Sequence, residues 1–376
     1  LPRATKRRID LFPNSTTEDA RMKKVCLKLL LLLSFDLAAV YPVQGAASLD
    51  QLIVSAKKEG DISFVAGAAT FGNKKGVSEL EAAFNKKFGL KTRVQLTAGP
   101  TMPAVAARVL TELKAGRPSS TDFYLGSVSH FADLHQQNAL EKINWSGIFP
   151  WITKDMELLV NEGVLVYTSP QGIVYNSNVI SADKAPRSYD ELVDPRRSRT
   201  WEGKLAIPPY PDWLSELTLV WGKEKVQDFT RKLLPLAAGR LRYNEEERVI
   251  SGEFPIMANM SGALERMWHW QAQGAPFAAV LASTPALTYY FMLGVPKNSA
   301  HPNLATLFVA FMLSKEAQEI LQKHDSRSSH LVEGTRTATY LREKGIKLMD
   351  SKQLINFYLT GDGPKLQDEF AKMLKE

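Results

Sequence analysis

Apolar positions along this chain fall in short runs separated by stretches of helical period. Leu49, Leu52, Ile53 and Ala56 share one face of a helix over 48–58, and the apolar run Ile62–Ala66 that follows has strand length. The alternation repeats, with a helix over 77–88 (Leu80, Ala83 and Phe84 on one face), a strand over 92–96, a helix over 104–113 and a strand over 122–125. A second set predicts strands over 172–176, 204–207 and 254–257, with helices over 211–221 and 224–234. Strands alternating with helices at this spacing predict βαβ units, an α/β class and a largely parallel sheet. No internal repeat or low-complexity tract interrupts the pattern.

The longest apolar run, 27–40, follows Met22, Lys23 and Lys24 and precedes the small residues Gly45, Ala46 and Ala47. A basic start, a short apolar centre and a small-residue end predict a secretory signal peptide over 22–47, cleaved after Gly45 or Ala47. Residues 1–21, polar and without apolar period, are expected to be a non-native N-terminal extension ahead of Met22. The run is short for a membrane span, and Lys28 and Asp36 weaken it further.

This leader changes the charge argument. The 376 residues hold 47 basic and 40 acidic side chains, a net +7, but residues 1–45 hold eight and four of these, which leaves +3 beyond them. No basic stripe with interleaved aromatics remains, so nucleic acid is not an expected partner. The one cysteine, Cys26, lies in the leader and lacks the small apolar residues that a lipid-attachment site needs before it. Beyond the leader there is no thiol for a disulfide, a metal or a nucleophile.

Three loops at strand ends share a chemistry of small and hydroxylated residues: Ala69 and Thr70; Thr97, Gly99 and Thr101; Ser127 and Ser129. In open α/β sheets ligands bind at the carboxyl ends of strands, where helix-start N–H groups favour an anion. Asn259, Ser261 and Gly262 follow a strand of the second set and complete the candidate ring. Tyr175, Tyr210 and Trp213 are expected to line a cleft, aromatic rings giving contact area with a polar edge. Arg108 and Arg242 are cations that could face an anion. The triplet 245–247 of glutamates is expected in a solvated turn or at a helix start.

Ordered segments then carry a resemblance: Gly172-Ile173-Val174-Tyr175-Asn176-Ser177, Pro186-Arg187-Ser188-Tyr189-Asp190-Glu191-Leu192, Trp201-Glu202-Gly203-Lys204-Leu205-Ala206-Ile207-Pro208, Ser251-Gly252-Glu253-Phe254-Pro255-Ile256, and 302–318. Together they resemble the type 2 periplasmic binding proteins, the solute receptors of ABC importers, in the branch with ferric-ion, polyamine and phosphonate receptors. The resemblance implies a two-lobed periplasmic binding protein-like II fold with hinge strands between the lobes. Lobe 1 would comprise 48–168 plus 282–330 and lobe 2 would comprise 169–281, with a C-terminal helical segment over 331–376. It also implies a monomer in the periplasm that captures a small-molecule ligand in the cleft and hands it to an ABC permease in the inner membrane. A receptor that presents its ligand-bound form to a sensor kinase would use the same fold.

Ferric-ion receptors of this group commonly bind iron through adjacent tyrosines after the strand that is here 254–257, where this chain has Asn259, Met260 and Ser261 instead. The pair Tyr289-Tyr290 comes later, and neighbours on a strand point to opposite faces, so Tyr289 alone is expected at the cleft. His130, His135 and His269 form no metal signature, Met257, Met260 and Met267 are expected in packing, and no cofactor is expected. There is no Gly-x-Ser-x-Gly elbow and no P-loop, so no enzyme is expected. The donor-rich, acid-poor loops predict an anionic organic or phosphorylated ligand, with ferric ion or its chelate as the alternative.

Overall fold

The computed structural model describes residues 48–375; the leader and extension over 1–47 lie outside them. The strands are β1 (Ile62–Ala66), β2 (Val94–Ala98), β3 (Tyr124–Ser127), β4 (Glu157–Leu158), β5 (Gly163–Pro170), β6 (Gly172–Asn176), β7 (Leu205–Ile207), β8 (Ala237–Arg240), β9 (Ile256–Met260), β10 (Phe277–Val280) and β11 (Thr288–Gly294). They form two lobes. In the first, a sheet ordered β3-β11-β5-β4 lies beside the parallel pair β1-β2. The Asp122 N–H donates to the Ser63 carbonyl (2.8 Å) and the Val65 N–H donates to Thr121 Oγ1 (3.1 Å), tying the pair to the segment before β3. In the second lobe the order is β10-β6-β9-β7-β8.

The chain crosses from β5 to β6 through the single residue Gln171 and returns from β10 to β11 over 281–287. This corrects the expectation of largely parallel sheets. β1-β2, β7-β8 and β7-β9 are parallel, but every pair that includes β5, β6, β10 or β11 is antiparallel. The cause is the connection itself, since the outgoing and returning segments lie side by side and must run in opposite directions.

Each lobe has its own aromatic centre. Phe64 stacks on Phe123 (4.7 Å), Phe123 lies 5.2 Å from Phe308, and Phe84 meets Phe308 edge-on at 5.2 Å. The helix Pro302–Phe311 is buried at every position, so it has no polar face to place in water. In the second lobe Tyr189, Trp213 and Phe229 pack together, with Trp201 nearby in the same core. Burial of each such ring contributes about 1.5–3 kcal/mol.

The C-terminal helices touch both lobes. Ser351–Leu359 packs on Val128–Gln136, and Asp362–Met373 packs on Asp212–Trp221. Gln136 donates to the Leu359 carbonyl (3.2 Å), Lys223 pairs with Glu369 (2.7 Å), and Arg240 donates to the Leu374 carbonyl (2.6 Å). Among the described residues no helix is long and apolar enough to cross a membrane.

Candidate functional site

A cavity of about 560 Å³ opens where the loop after β1 (Gly67 to Asn73), the loop after β2 (Pro100 to Met102), the segment after β9 (Ser261 to Arg266) and residues 324–327 converge. Three helices start at its wall: Asn73–Phe88 behind Gly72, Met102–Lys114 behind Thr101, and Ala263–Gln271 behind Gly262. None of these N-cap residues supplies a side-chain cap. The first turn of a helix has N–H groups without intrahelical acceptors and a partial positive charge, so three such ends favour an anion. Gly72 and Gly262 have φ of 78° and 66°, and a Cβ on Gly72 would lie 2.2 Å from that of His324. Only glycine brings the backbone this close to residues 324–327.

Charge is concentrated on the same wall. Arg327 Nη1 donates to the Tyr167 hydroxyl (3.1 Å), Nε lies 3.8 Å from Asp325, and the guanidinium sits over the rings of Tyr167 (5.1 Å) and Phe291 (5.9 Å). Burial acts to lower the Arg327 pKa, but Asp325, Tyr167 and Glu265 raise it above its ordinary value, so the group stays charged. Arg266 is 3.1 Å from Glu246, which is buried at the N-cap of the short helix Glu247–Ile250, the helix start that was one of the two expectations for 245–247. Glu265 is 3% exposed, and neither carboxylate oxygen makes a hydrogen bond of ordinary geometry. Its burial pushes the pKa up to about 7, against weaker lowering contributions that include Arg327 and a contact with Ser169.

A second cavity of about 550 Å³ is lined by Ser127, Ser129, His130, Asp133, Pro211, Asp212, Tyr289, Tyr358, Pro364 and Gln367. Between the two runs a buried hydrogen-bond network. Tyr289 donates to Asp212; Tyr358 and Gln171 donate to the two oxygens of Glu216 (2.8 and 2.9 Å); Asn259 donates to Gln171 (3.0 Å) and to the Tyr243 hydroxyl (3.3 Å); Tyr189 donates to Asn259 (2.6 Å). Tyr243 lines the first cavity and lies beside Tyr289, which lines the second. The network thus joins the crossing residue Gln171, the returning strand β11, both lobes and the C-terminal helices. Burial, and then Asp212, push the Glu216 pKa up to about 8.

The structure brings together Ala69, Thr70, Thr101, Ser261 and Gly262. The others go elsewhere. Thr97 and Gly99 are exposed and outside the cavity wall, because the Gly99 N–H continues the strand pairing to the Ala66 carbonyl (2.9 Å). Ser127 and Ser129 line the second cavity with Tyr289, and Ser127 is engaged by His130 in a capping box of its own helix. Tyr175 and Trp213 are core residues, 6% and 0% exposed, not cleft aromatics. Asn259 is wholly buried in the network, and Tyr210 is half-buried, packing on Tyr243 at 4.7 Å. Arg108 is taken up by Glu112 one helical turn away (2.9 Å), and neither it nor the exposed Arg242 reaches the cavity. Tyr290 donates to the Met349 carbonyl, away from its neighbour's partner Asp212.

Sequence reasoning missed Tyr243, Arg266, Asp325 and Arg327. Asp325-Ser326-Arg327 leaves one trace in the sequence, opposite charges flanking a small residue at a helix end. The left-handed Ser326 (φ 55°) turns that segment back toward β1. Among the described residues no group of three or more His, Cys, Asp or Glu side chains could hold a metal ion.

The family model for bacterial extracellular solute-binding proteins matches residues 79–327. Similar solved structures include the substrate-binding protein of an ABC transporter from Agrobacterium tumefaciens, at 18% identity and a TM-score of 0.66 over 85% of this chain and 97% of that one. AfuA from Actinobacillus pleuropneumoniae, with fructose-6-phosphate bound, gives 18% and 0.63 over 84% and 99%. Iron-bound HitA from Pseudomonas aeruginosa gives 15% and 0.65 over 83% and 99%. At these identities the likeness is one of fold, and that fold is the expected two-lobed one of type 2 periplasmic binding proteins. No curated protein matches the chain.

Proposed function

Because the chain belongs to the bacterial extracellular solute-binding protein family, we propose that it captures a small anionic organic or phosphorylated ligand between its lobes and delivers it to an ABC permease in the inner membrane. One observation carries the ligand class: three helix starts whose N-cap residues supply no side-chain cap converge with Arg327 on a single cavity. Helix N–H groups and a guanidinium are donors without acceptors, and charge-assisted hydrogen bonds to an anion are the strong ones. The protein performs no chemistry on the ligand in this reading. It works in the periplasm as a monomer, after removal of the leader over 22–47.

Lobe 1 is then 48–168 plus 282–330 and lobe 2 is 169–281, with 331–376 lying across both. Contacts made to the ligand from both lobes favour a closed state, so affinity includes the difference in stability between open and closed forms. A thermal-shift screen of purified, refolded protein against carboxylates, phosphonates, sugar phosphates, polyamines and ferric citrate tests the reading. Stabilisation by an organic or phosphorylated anion is expected, and stabilisation by polyamines alone would overturn it.

A second reading, ferric ion or its chelate, is favoured by Tyr243, Glu265 and Asp325, all oxygen donors, lining the same cavity. A coloured complex lost on Tyr243→Phe would support it.

A further inference from the structure

Glu265 is a buried carboxyl on the cavity wall whose chemistry the anion reading leaves unused. Its side chain lies in the first turn of Ala263–Gln271, 3% exposed, with both carboxylate oxygens out of contact with water and without a hydrogen bond of ordinary geometry. The other charges around it have partners: Arg327 has Asp325 and Tyr167, and Arg266 has Glu246. A buried carboxyl whose nearby donors, its own N–H and Ser169, fall short of ordinary hydrogen-bond geometry still costs the fold desolvation, and an apolar residue would fill the same space without that cost. Packing therefore gives no reason for a glutamate here. The position does: the cavity wall puts it opposite the β1 and β2 loops, where a bound molecule would lie.

We propose that Glu265 is a ligand-contacting specificity residue whose carboxylate receives a hydrogen-bond donor, a hydroxyl or an ammonium group, from the ligand. The inference rests on the anion reading, in which the ligand carries that donor beside its acid group. The acid lies against the three helix starts and Arg327, and the donor reaches Glu265 from the same molecule. Recognition is then two-ended, since a simple anion satisfies the N–H groups but leaves the carboxylate unpaired. A site built around a polar group rejects an analogue that lacks its partner far better than an apolar pocket rejects a missing methylene.

The test is calorimetric titration of the refolded chain with three probes of similar size: ethyl phosphate, 2-hydroxyethyl phosphate and 2-aminoethyl phosphate. The wild type should bind one or both donor-bearing probes at least about ten-fold more tightly than ethyl phosphate, the effect of one charged hydrogen bond. Glu265→Ala should erase that ratio, the donor-bearing probes losing their advantage over ethyl phosphate. Glu265→Gln, which keeps an acceptor but no charge, should retain preference for the hydroxyl and lose preference for the ammonium. The unliganded Glu265→Gln protein should melt at a higher temperature than wild type, whereas a structural role for the carboxylate predicts a lower one. The same preference ratio in wild type and Glu265→Ala overturns the inference. Binding of 1,3-diaminopropane that depends on Glu265, with no phosphate bound, would overturn the anion reading and leave the role of Glu265 standing. Failure of the phosphates and the diamine alike overturns both.

Discussion

Glu216 gives the sharpest quantitative prediction, because it is a buried carboxyl held by neutral donors rather than by a cation. Tyr358 and Gln171 donate to its two oxygens, while burial and the nearby Asp212 raise its pKa from 4.5 to about 8. A carboxyl with a raised folded pKa binds its proton more tightly folded than unfolded. Its contribution to stability is greatest below pH 4.5, is lost as pH rises from 4.5 to about 8, and is constant above. Integrated between pH 5 and pH 8, the loss is on the order of 3–4 kcal/mol. Glu216→Gln removes the titration but places an amide NH₂ against one of two donors, so one hydrogen bond worth about 1 kcal/mol is lost at every pH. Urea unfolding of both proteins at pH 5 and pH 8 is the assay. The variant should be about as stable as wild type at pH 5 and clearly more stable at pH 8, with the difference between the two proteins changing by about 3–4 kcal/mol. The wild-type profile also contains Glu265, raised to about 7, so the difference between proteins isolates Glu216. Parallel profiles would refute the reasoning.

Three further outcomes follow from the same geometry. Arg327→Leu should weaken binding of the anion by about 10- to 100-fold, the loss of a charged hydrogen bond, with Arg327→Lys recovering part of it in the same titration. Gly72→Ala should destabilise by at least about 1–2 kcal/mol in urea unfolding, since its φ of 78° disfavours a side chain and the new Cβ meets His324. Mass spectrometry of exported protein should find a chain beginning near Ala46 or Ser48, and retention of residues 1–45 would remove the leader reading.

The ends of elements that depend on local pattern were legible. Ile62–Ala66 and Gly172–Asn176 are strands over the expected residues, because a short apolar run bounded by Gly or a turn has few other uses. Tyr289 and Tyr290 are legible as neighbours on a strand, but the partner of Thr288–Gly294, β5, lies more than a hundred residues earlier and no local pattern names it. The loops after β1 and β2 were placed at the site by a general rule about strand ends, which the β3 loop obeys only in part, its serine being absorbed by a helix cap. Trp213 and Tyr175 failed as cleft residues for a different reason. Composition cannot tell an aromatic that faces a cavity from one that fills a core, and both are buried by their neighbours on all sides. Arg327 and Asp325 reach the cavity only through tertiary return of the chain, which no local pattern carries.

The central claim is that a small anion binds between the lobes and leaves unchanged. Isothermal titration of the refolded chain with the anion that stabilises it most, followed by chemical analysis of the recovered ligand, tests this most directly. The account predicts one saturable heat at one ligand per chain, abolished or much weakened in Arg327→Leu, and ligand recovered intact. Absence of saturable heat with every organic or phosphorylated anion, or recovery of the ligand as a product, would contradict it.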